Sequence, residues 1–250
     1  AKNLGGELIL RFDDTDTTVK PPMIEAYESI PIQQEWLCGF PAHRIVIASE
    51  RMDMYHSYAH KMLSNFFGYV CTCTGEEFKQ FRIAKEDCPC RNNSVEKNLT
   101  LWEKMNDTNG FQPGEAVLRV KTDMTLKNPA LRDWPAARIQ TKSHPRVGNM
   151  WRVWPLLDFQ SAIEDHLQGV THIIRGSDLL ACTAKQIFLA KKLTLAIPSY
   201  GHIPVVVNKQ GQKLSKQSHA KPIDKNSPLY MLRLALRALG QDPQKHATST

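Results

Sequence analysis

Residues 8–16 read LILRFDDTD, an apolar run that passes directly into a turn with three carboxylates. The segment from Leu8 to Phe12 has the length and apolar character of a short buried strand. Open α/β sheets bind ligands beyond the carboxyl ends of their strands. The acidic turn therefore predicts a site for a metal ion or for the ammonium group of a substrate. An acidic turn that only caps a helix is the alternative that these residues leave open.

Strand and helix patterns alternate on either side of an irregular central region, which indicates an α/β fold. The expected strands cover about residues 8–12, 44–49, 115–121, 170–175 and 203–207. The expected helices cover about residues 23–37, 51–67, 183–193 and 228–239. The alternation stops near Tyr69 and returns after Trp154, so the region between them is interpreted as an insertion. The polar tail from Gln241 is expected to fray.

The composition sets limits on the class of protein. A chain of 250 residues with 42% hydrophobic residues suits one large domain, or one domain that carries an insertion. The net charge of +7 favours a polyanion partner such as RNA, although a basic protein without such a partner has the same charge. No run of about 18 apolar residues and no signal peptide are visible, so we expect no membrane association and a cytoplasmic location.

Four of the six cysteines lie close together as two C-x-C pairs separated by fourteen residues. They are Cys71, Cys73, Cys88 and Cys90. A cytoplasmic chain seldom uses disulfides, and four thiolates can surround a tetrahedral zinc ion. A closed four-thiolate shell has no position for water or substrate, so the expected role of zinc is structural. Four free cysteines in a loop are the alternative. The isolated Cys38 and Cys182 are expected to fill the core.

Two further segments carry charges suited to binding anions. Residues 211–219 read GQKLSKQSH, in which a glycine turn precedes two lysines and hydroxyl groups that suit phosphates. A solvated basic loop is the alternative there. Arg175 ends an apolar strand, where a charge needs a partner, and its guanidinium can bind a carboxylate through two hydrogen bonds. A structural ion pair with Glu164 or Asp165 is the alternative for this arginine.

Taken together, these segments resemble the glutamyl-tRNA synthetases of the archaeal type, which are class I enzymes. The resemblance rests on residues 10–16, 69–73, 88–91, 115–123, 128–130, 132–134, 165–166, 169–172 and 174–176, and on Lys213-Leu214-Ser215-Lys216 as a variant of the KMSKS loop. It implies a Rossmann-like class I catalytic domain with a zinc-bearing α+β insertion. The implied parts are a first catalytic half at 1–68, an acceptor-binding insertion at 69–150, a second catalytic half with the KMSKS-like loop at 151–225, and the start of a helical stem-contact region at 226–250.

The resemblance also implies a mechanism and a set of site residues. Glutamate and ATP, accompanied by magnesium, form glutamyl-adenylate, and the glutamyl group then passes to tRNA. The implied glutamate-binding residues are Arg11, Asp13 for the α-ammonium group and Arg175 for the side-chain carboxylate. The implied catalytic residues, which stabilise the phosphates, are Lys213, Ser215 and Lys216. Asp178 and His202 are placed near the nucleotide or the tRNA end. A buried arginine facing a neutral amide is costly, so Arg175 favours glutamate over glutamine.

The chain departs from the family in two respects. A strand and the HIGH motif precede the position of Leu8 in family members, so a truncated fragment that binds ATP poorly is expected. Leu157 stands where the family usually has a tyrosine. Two other functions stay open. Residues 165–171 and 213–220 also resemble the glutamyl-queuosine tRNA-Asp synthetases, which glutamylate a modified base, and a zinc-stapled RNA-binding module without catalysis is the third reading.

Overall fold

The fold is described from a computed structural model, which places residues 1, 5–205, 207 and 227–238. The chain divides into two compact units. The first unit comprises residues 1–173 and 180–200, and the second comprises residues 174–179 and 201–250. In the described part of the chain, no helix is long and apolar enough to cross a membrane.

Seven α-helices and eight strands are described. The helices are α1 (Ala26–Cys38), α2 (Met52–Ser64), α3 (Gly75–Ala84), α4 (Val95–Asn106), α5 (Leu157–Leu167), α6 (Leu180–Leu193) and α7 (Pro228–Ala238). The strands are β1 (Ile9–Phe12), β2 (Arg44–Ile47), β3 (Gly68–Cys71), β4 (Val117–Val120), β5 (Pro135–Ile139), β6 (Val153–Pro155), β7 (His172–Gly176) and β8 (Ser199–Ile203). Short 3₁₀ turns occur at Ala48–Arg51, Pro89–Asn92, Pro129–Leu131 and Ser177–Leu179.

The first unit begins with a strand–helix–strand crossover. β1 and β2 pair in parallel, with Arg11 opposite Val46, and α1 connects them. A parallel pair needs a crossover connection of this kind, because the chain must return to the same end of the sheet. β1 ends at Phe12, so the acidic turn lies at its carboxyl end, as the sequence predicted.

A four-stranded antiparallel sheet, in the order β3-β4-β5-β6, separates two hydrophobic clusters. Successive residues of a strand point to opposite faces, and β3 shows this directly. Val70 packs in the larger cluster, whereas Tyr69 and Cys71 pack in a smaller one. β4 divides in the same way, with Leu118 in the larger cluster and Val117 against the smaller one. We call these clusters the main core and the second core.

The main core is built from helical faces packed on the sheet. α2 buries Met52, Tyr55, Ala59, Met62 and Leu63, a spacing that brings apolar side chains to one face of a helix. α5 and α6 add further large side chains, all of them at least 99% buried. They are Phe159, Ile163, Leu189 and Leu193. Apolar burial of this extent is the dominant favourable contribution to folding.

The second core is much smaller. Its buried residues are Tyr69, Cys71, Phe78, Cys88 and Met124. It therefore brings α3 and the cysteine-bearing segments against β3 and β4. Two of its five buried members are cysteines, so apolar burial alone contributes little here.

Most of the expected elements are confirmed, with boundaries that shift by a few residues, but two expectations are wrong. The strand expected over residues 203–207 lies instead at Ser199–Ile203. Pro204 has no N–H group for a sheet hydrogen bond, which accounts for the end of β8 before it. Cys38 and Cys182 were expected to fill the core, but Cys38 is exposed at the end of α1 and Cys182 is only partly buried in α6. The expected polar tail lies outside the described residues.

Candidate functional site

The second carboxylate of the acidic turn, that of Asp14, has a structural role. Asp14 is 7% exposed and accepts hydrogen bonds from the Ser49 backbone N–H at 2.8 Å and the Ser49 hydroxyl at 2.7 Å. The Tyr27 hydroxyl donates to the same carboxylate at 2.5 Å. Asp14 thus caps the 3₁₀ turn that leads into α2, which is the structural role that the sequence left open for this turn.

The third carboxylate also serves the turn. Asp16 Oδ1 accepts from the backbone N–H groups of Thr18 at 3.0 Å and Val19 at 2.9 Å, and it pairs with Arg138 at 3.3 Å. Although burial opposes ionisation, the backbone N–H groups and Arg138 hold the pKa of Asp16 below its usual value. The Asp16 carboxylate therefore stabilises the turn, because it accepts hydrogen bonds from the backbone of the residues that follow it.

Asp13, directly after the carboxyl end of β1, has different surroundings. Its Oδ1 atom accepts from Arg11 Nε at 2.8 Å and from Gln160 Nε2 at 2.5 Å. Its Oδ2 atom has no hydrogen-bond partner among the described residues. About a third of the Asp13 side chain is accessible to solvent, at 34% exposure, against 17% for Arg11. The carboxylate is thus oriented by two neighbours and keeps one oxygen available.

Charge in this cluster favours a cation. Arg11 Nη1 also donates to Asp165 at 2.8 Å, so one guanidinium lies between two carboxylates. Desolvation raises the pKa of Asp13, and the like charges of Asp165 and Glu164 add to this, although Arg11 acts against it. Desolvation lowers the pKa of Arg11, but the two carboxylates outweigh it and raise that pKa above its ordinary value. An additional positive group beside Asp13 would relieve this repulsion.

α5 supplies a polar face of which the sequence analysis named only Glu164 and Asp165, as ion-pair candidates for Arg175. Gln160, Ser161, Glu164 and Asp165 are all buried, and their spacing brings them to one side of the helix. Gln160 and Asp165 orient Arg11 and Asp13. Glu164 is fully buried and accepts from Arg51 Nε at 2.8 Å and the Tyr55 hydroxyl at 2.6 Å. The signal in the sequence is a helix with a row of polar residues on the side that a core helix should bury.

Two buried polar residues outside the strands, Gln140 and His144, form hydrogen bonds with the backbone of the acidic turn. Gln140 Nε2 donates to the Thr15 carbonyl at 3.0 Å, and Gln140 Oε1 accepts from the Thr17 N–H at 2.9 Å. His144 is 1% exposed, lies 2.9 Å from the Asp14 carbonyl through Nε2 and stacks on Trp154. Both lie more than a hundred residues from the turn in sequence, so no local pattern could have indicated them.

The structure brings the four predicted cysteines together. The sulfur atoms of Cys71, Cys73, Cys88 and Cys90 all lie within 4.8 Å of one another. The Cys71–Cys88 and Cys73–Cys90 sulfur pairs are 3.9 and 3.8 Å apart. A tetrahedral zinc ion with bonds of about 2.3 Å separates its sulfur ligands by about 3.8 Å. The donor set and its spacing therefore fit a tetrahedral metal ion.

Hydrogen bonds around the cysteines support this arrangement. The Thr72 backbone N–H donates to Cys90 Sγ at 3.4 Å, and Cys88 Sγ lies 3.6 Å from the Tyr69 hydroxyl. The hydrogen bond from the Cys71 thiol, helped by Tyr69 and nearby backbone N–H groups, lowers the pKa of Cys88 to about 6, although burial opposes this. The same hydrogen bond and burial raise the pKa of Cys71, and burial raises that of Cys73. Thiolates are the ligand form of cysteine, so these thiols would have to lose their protons as a metal ion binds.

The remaining predicted residues belong to the second unit or lie outside the described residues. Arg175 is half-buried in β7, Asp178 lies in the turn Ser177–Leu179, and His202 is in β8. A Cβ atom at Gly176 would overlap with Asp178 Oδ1, so a larger residue there would displace that carboxylate. Lys213, Ser215 and Lys216 lie outside the described residues. In the first unit, Leu157 begins α5 and is 47% exposed.

Known proteins resemble this chain over most of its length. The glutamate–tRNA ligase of Methanothrix thermoacetophila is 50% identical over 201 residues, which cover 80% of this chain and 35% of the relative. The glutamate–tRNA ligase of Archaeoglobus fulgidus is 44% identical over 250 residues, which cover 98% of this chain and 45% of the relative. The chain thus spans between about a third and a half of the length of these curated relatives.

Comparison with a solved structure supports the α/β fold. The crystal structure of a glutamate tRNA ligase from Elizabethkingia meningosepticum, in complex with its amino acid, superposes with a TM-score of 0.58 at 22% identity. The match covers 85% of this chain and 46% of that one. Residues 1–239 also match the family model described as class I tRNA synthetases (E and Q), catalytic domain. Because that match spans almost the whole sequence, the chain belongs to the family of class I tRNA synthetases for glutamate and glutamine, as its catalytic domain.

Proposed function

We propose that this chain activates glutamate with ATP and transfers it to tRNA, as a glutamate–tRNA ligase. The glutamate α-carboxylate attacks the α-phosphorus of ATP, forming glutamyl-adenylate and releasing pyrophosphate. A hydroxyl of the terminal adenosine of tRNA then displaces AMP. The relatives named above, at 44–50% identity, support this assignment. The observation that carries it is the oriented carboxylate of Asp13 at the end of β1.

Asp13 is suited to bind the α-ammonium group of glutamate. Arg11 and Gln160 hold its Oδ1 atom, so the carboxylate is oriented before a ligand arrives. Its Oδ2 atom can then accept a charge-assisted hydrogen bond, which is about twice as strong as a neutral one. The cluster of Arg11, Asp13 and Asp165 carries a net negative charge that the ammonium group offsets.

The other substrate groups are assigned to the second unit and to the KMSKS-like loop. Arg175 would bind the side-chain carboxylate of glutamate through two hydrogen bonds and so select it over glutamine. Lys213, Ser215 and Lys216 would stabilise the phosphates while the α-phosphorus is attacked, with magnesium accompanying ATP. Asp178 and His202 would contact the nucleotide or the tRNA end.

The four cysteines are proposed to bind a structural zinc ion. Zinc would hold the second core together and leave no open coordination position, so it supplies stability rather than chemistry. We propose that residues 69–150, which include this centre, receive the acceptor end of tRNA. Reduced thiols suit the cytoplasm, where we place the protein.

Amino-acid-dependent exchange of pyrophosphate into ATP, measured with tRNA-Glu present, tests the proposal. At saturating ATP, which offsets the weak ATP binding expected from the sequence, the exchange should depend on glutamate and not on glutamine. Asp13→Asn keeps the shape of the side chain but removes its charge, and should raise the KM for glutamate by about 10- to 100-fold, as expected for one charge-assisted contact. Glu103→Gln, an exposed charge on α4, is the matched control and should have no effect.

The product identifies the reaction. Glutamate attached to the 3′ adenosine is lost in alkali, and prior periodate oxidation of the terminal ribose abolishes its formation. Glutamate incorporated into tRNA-Asp from which the terminal adenosine has been removed would show that the protein glutamylates queuosine instead. Binding of tRNA without consumption of ATP would show an RNA-binding module. Equal exchange rates for Asp13→Asn and the parent protein would show that Asp13 does not bind glutamate.

A further inference from the structure

A chain of buried hydrogen bonds joins Thr15, Gln160 and Asp13. Thr15 is 5% exposed and Gln160 is fully buried, so neither side chain can exchange its partners for bulk water. The Thr15 hydroxyl donates to Gln160 Oε1 at 2.7 Å, and Gln160 Nε2 donates to Asp13 Oδ1 at 2.5 Å. One amide of α5 therefore connects the carboxylate at the end of β1 with a hydroxyl of the same acidic turn.

The chemistry of an amide sets the direction of this chain. A glutamine side chain donates only from its nitrogen and accepts only at its oxygen, so the partner at one end of Gln160 constrains the other end. The single proton of the Thr15 hydroxyl can point to Gln160 Oε1 at 2.7 Å or to the Pro155 carbonyl at 3.2 Å. The shorter contact favours Gln160, and the amide nitrogen then faces Asp13.

An amide N–H group at Oδ1 favours the ionised form of Asp13. A carboxylate accepts hydrogen bonds at both oxygens, whereas a protonated carboxyl group carries a proton that it must donate. A proton on Oδ1 would require the Gln160 amide to turn round. Thr15 would then have to accept from Nε2 and donate to the more distant Pro155 carbonyl. A proton on Oδ2 would instead occupy the oxygen that an ammonium group needs.

The charged groups around Asp13 give this support its importance. Arg11 on β1 pairs with Asp13 at 2.8 Å, whereas Asp165 and Glu164 on α5 carry like charge. Glu164 is itself paired with Arg51 at 2.8 Å. Burial is the largest influence, and it raises the pKa of Asp13 although Arg11 opposes this. Hydrogen-bond donors at Oδ1 therefore act directly on the charge of this carboxylate.

We propose that Thr15 and Gln160 form a positioning pair that holds Asp13 ionised, with Oδ2 directed at the α-ammonium group of glutamate. The inference rests on the proposed function, which supplies glutamate as the ligand. Gln160 acts through Asp13, and Thr15 acts through Gln160, so neither residue contacts glutamate in this arrangement. The pair extends the pH range over which glutamate binds toward acid, and loss of either member should shorten that range.

Glutamate affinity, measured by NMR titration without ATP from pH 5.5 to 8, tests the pair. Thr15→Val keeps the shape of the side chain and removes the hydroxyl, so the Gln160 amide can turn its oxygen toward Asp13. We expect affinity about 10-fold weaker than in the parent at pH 6, as for one lost hydrogen bond to a charged group, and within about twofold of it at pH 8, where Asp13 is ionised in both proteins. Thr15→Ser restores the hydroxyl and should recover most of the affinity at pH 6.

A second variant and a matched control separate positioning from damage to the turn. Gln160→Met removes the amide and keeps the length of the side chain, and it should give the same loss at acid pH. Thr17 lies in the same turn and is also buried, but its hydroxyl faces Gln140, at 3.4 Å. Thr17→Val should therefore bind glutamate as the parent does at every pH. A loss in Thr15→Val that is equal at all pH values would overturn the proposal.

The carboxyl carbon of Asp13 gives a readout that needs no ligand. Its NMR shift follows the protonation of Asp13, and Asp13→Asn identifies the signal. The midpoint of this titration should move to higher pH in Thr15→Val and Gln160→Met and stay in place in Thr17→Val. An unmoved midpoint in the first two variants would also overturn the proposal. The expected midpoints without glutamate binding at any pH would instead refute the proposed function, while the link from Thr15 through Gln160 to Asp13 would stand.

Discussion

Single residues link the cysteine centre to the sheet, and Asp133 is the most connected of them. It is fully buried, at a positive φ of 37°, and accepts from the Tyr69 hydroxyl and Arg91 Nε at 2.8 Å each. Its other oxygen accepts from the Thr122 N–H at 2.6 Å. Arg91 directly follows Cys90, and the Tyr69 hydroxyl lies beside Cys88. Asp133 thus positions both cysteines of the second pair through intermediate side chains.

Tyr69→Phe tests this connection with the loss of one oxygen. Asp133 would lose a donor and Cys88 its hydroxyl neighbour, so we expect about 1–3 kcal/mol less stability and about 10-fold weaker zinc retention. Competition with a coloured chelator measures the zinc, and urea denaturation measures the stability. Tyr58→Phe removes a hydroxyl that has no hydrogen-bond partner among the described residues, and should change neither quantity. Equal zinc retention in the two variants would contradict the linkage.

For single residues, the sequence predicts what local spacing encodes. The four cysteines were predictable because ligand type and C-x-C spacing define the site within twenty residues. The Asp13 carboxylate was predicted as part of an acidic turn at the end of a strand, whereas Arg11 entered only through the family resemblance. The contacts of Gln160 and Asp165 with these two residues were not predicted, since they come from a helix about 150 positions away. Only the packing of α5 against β1 makes them part of the site.

Among the elements, α3 begins with a reciprocal cap directly after Cys73. The Thr74 hydroxyl accepts from the Glu77 N–H at 3.2 Å, and the Glu77 carboxylate accepts from the Thr74 N–H at 2.8 Å. Thr74→Ala should therefore destabilise the protein by about 1 kcal/mol. Thr100→Ala, at an exposed position inside α4, is the matched control, with a smaller expected change. Chemical denaturation with intrinsic fluorescence measures both, and equal losses would show that the cap contributes nothing specific.

α2 gives the stability a pH dependence through His56. The ring lies between Trp102 and Trp151, and its desolvation lowers the pKa of His56, although Val153 and Asp53 act in the opposite direction. The unfolded chain then takes up a proton first, so stability is complete above the unfolded value of about 6.5 and is lost as the pH falls below it. His56→Gln should flatten this loss in urea midpoints measured from pH 7.5 to 5.5. His60→Gln, exposed on the same helix, should leave the slope as it is.

The elements also show where pattern reading fails. β1, β2 and β7 were expected because short apolar runs bounded by turns indicate buried strands. α5 was not expected, because a buried polar face removes the amphipathic contrast on which a helix assignment depends. β8 was misplaced because the apolar run after Ile203 is more strand-like than Ser199–Ile203, and the proline at its start decides against it.

At the scale of the whole first unit, the two cores differ in what stabilises them. The main core gathers side chains from four helices and four strands, so its burial suffices for stability. The second core has only five buried residues, and two of them are cysteines whose sulfur atoms are suited to binding a metal ion. α3 and α4 follow one another in the chain, yet Phe78 of α3 packs in the second core whereas Trp102 and Met105 of α4 pack in the main one. Metal binding should therefore stabilise α3 more than α4.

Removal of the proposed zinc ion under reducing conditions tests that division. Without it, the second core loses the bonds that join its segments, and α3 should exchange its backbone amides at least about tenfold faster, as local unfolding predicts. α4 should keep its protection, because its buried side chains belong to the main core. Hydrogen exchange followed by mass spectrometry reads both helices in one sample.

Cys90→Ser, which removes one ligand, should reproduce the pattern without a chelator, whereas Cys38→Ser, an exposed cysteine outside the cluster, should not. Loss of protection in both helices together would mean that the two cores unfold as one unit, and unchanged protection in α3 would mean that the cysteine centre stabilises nothing.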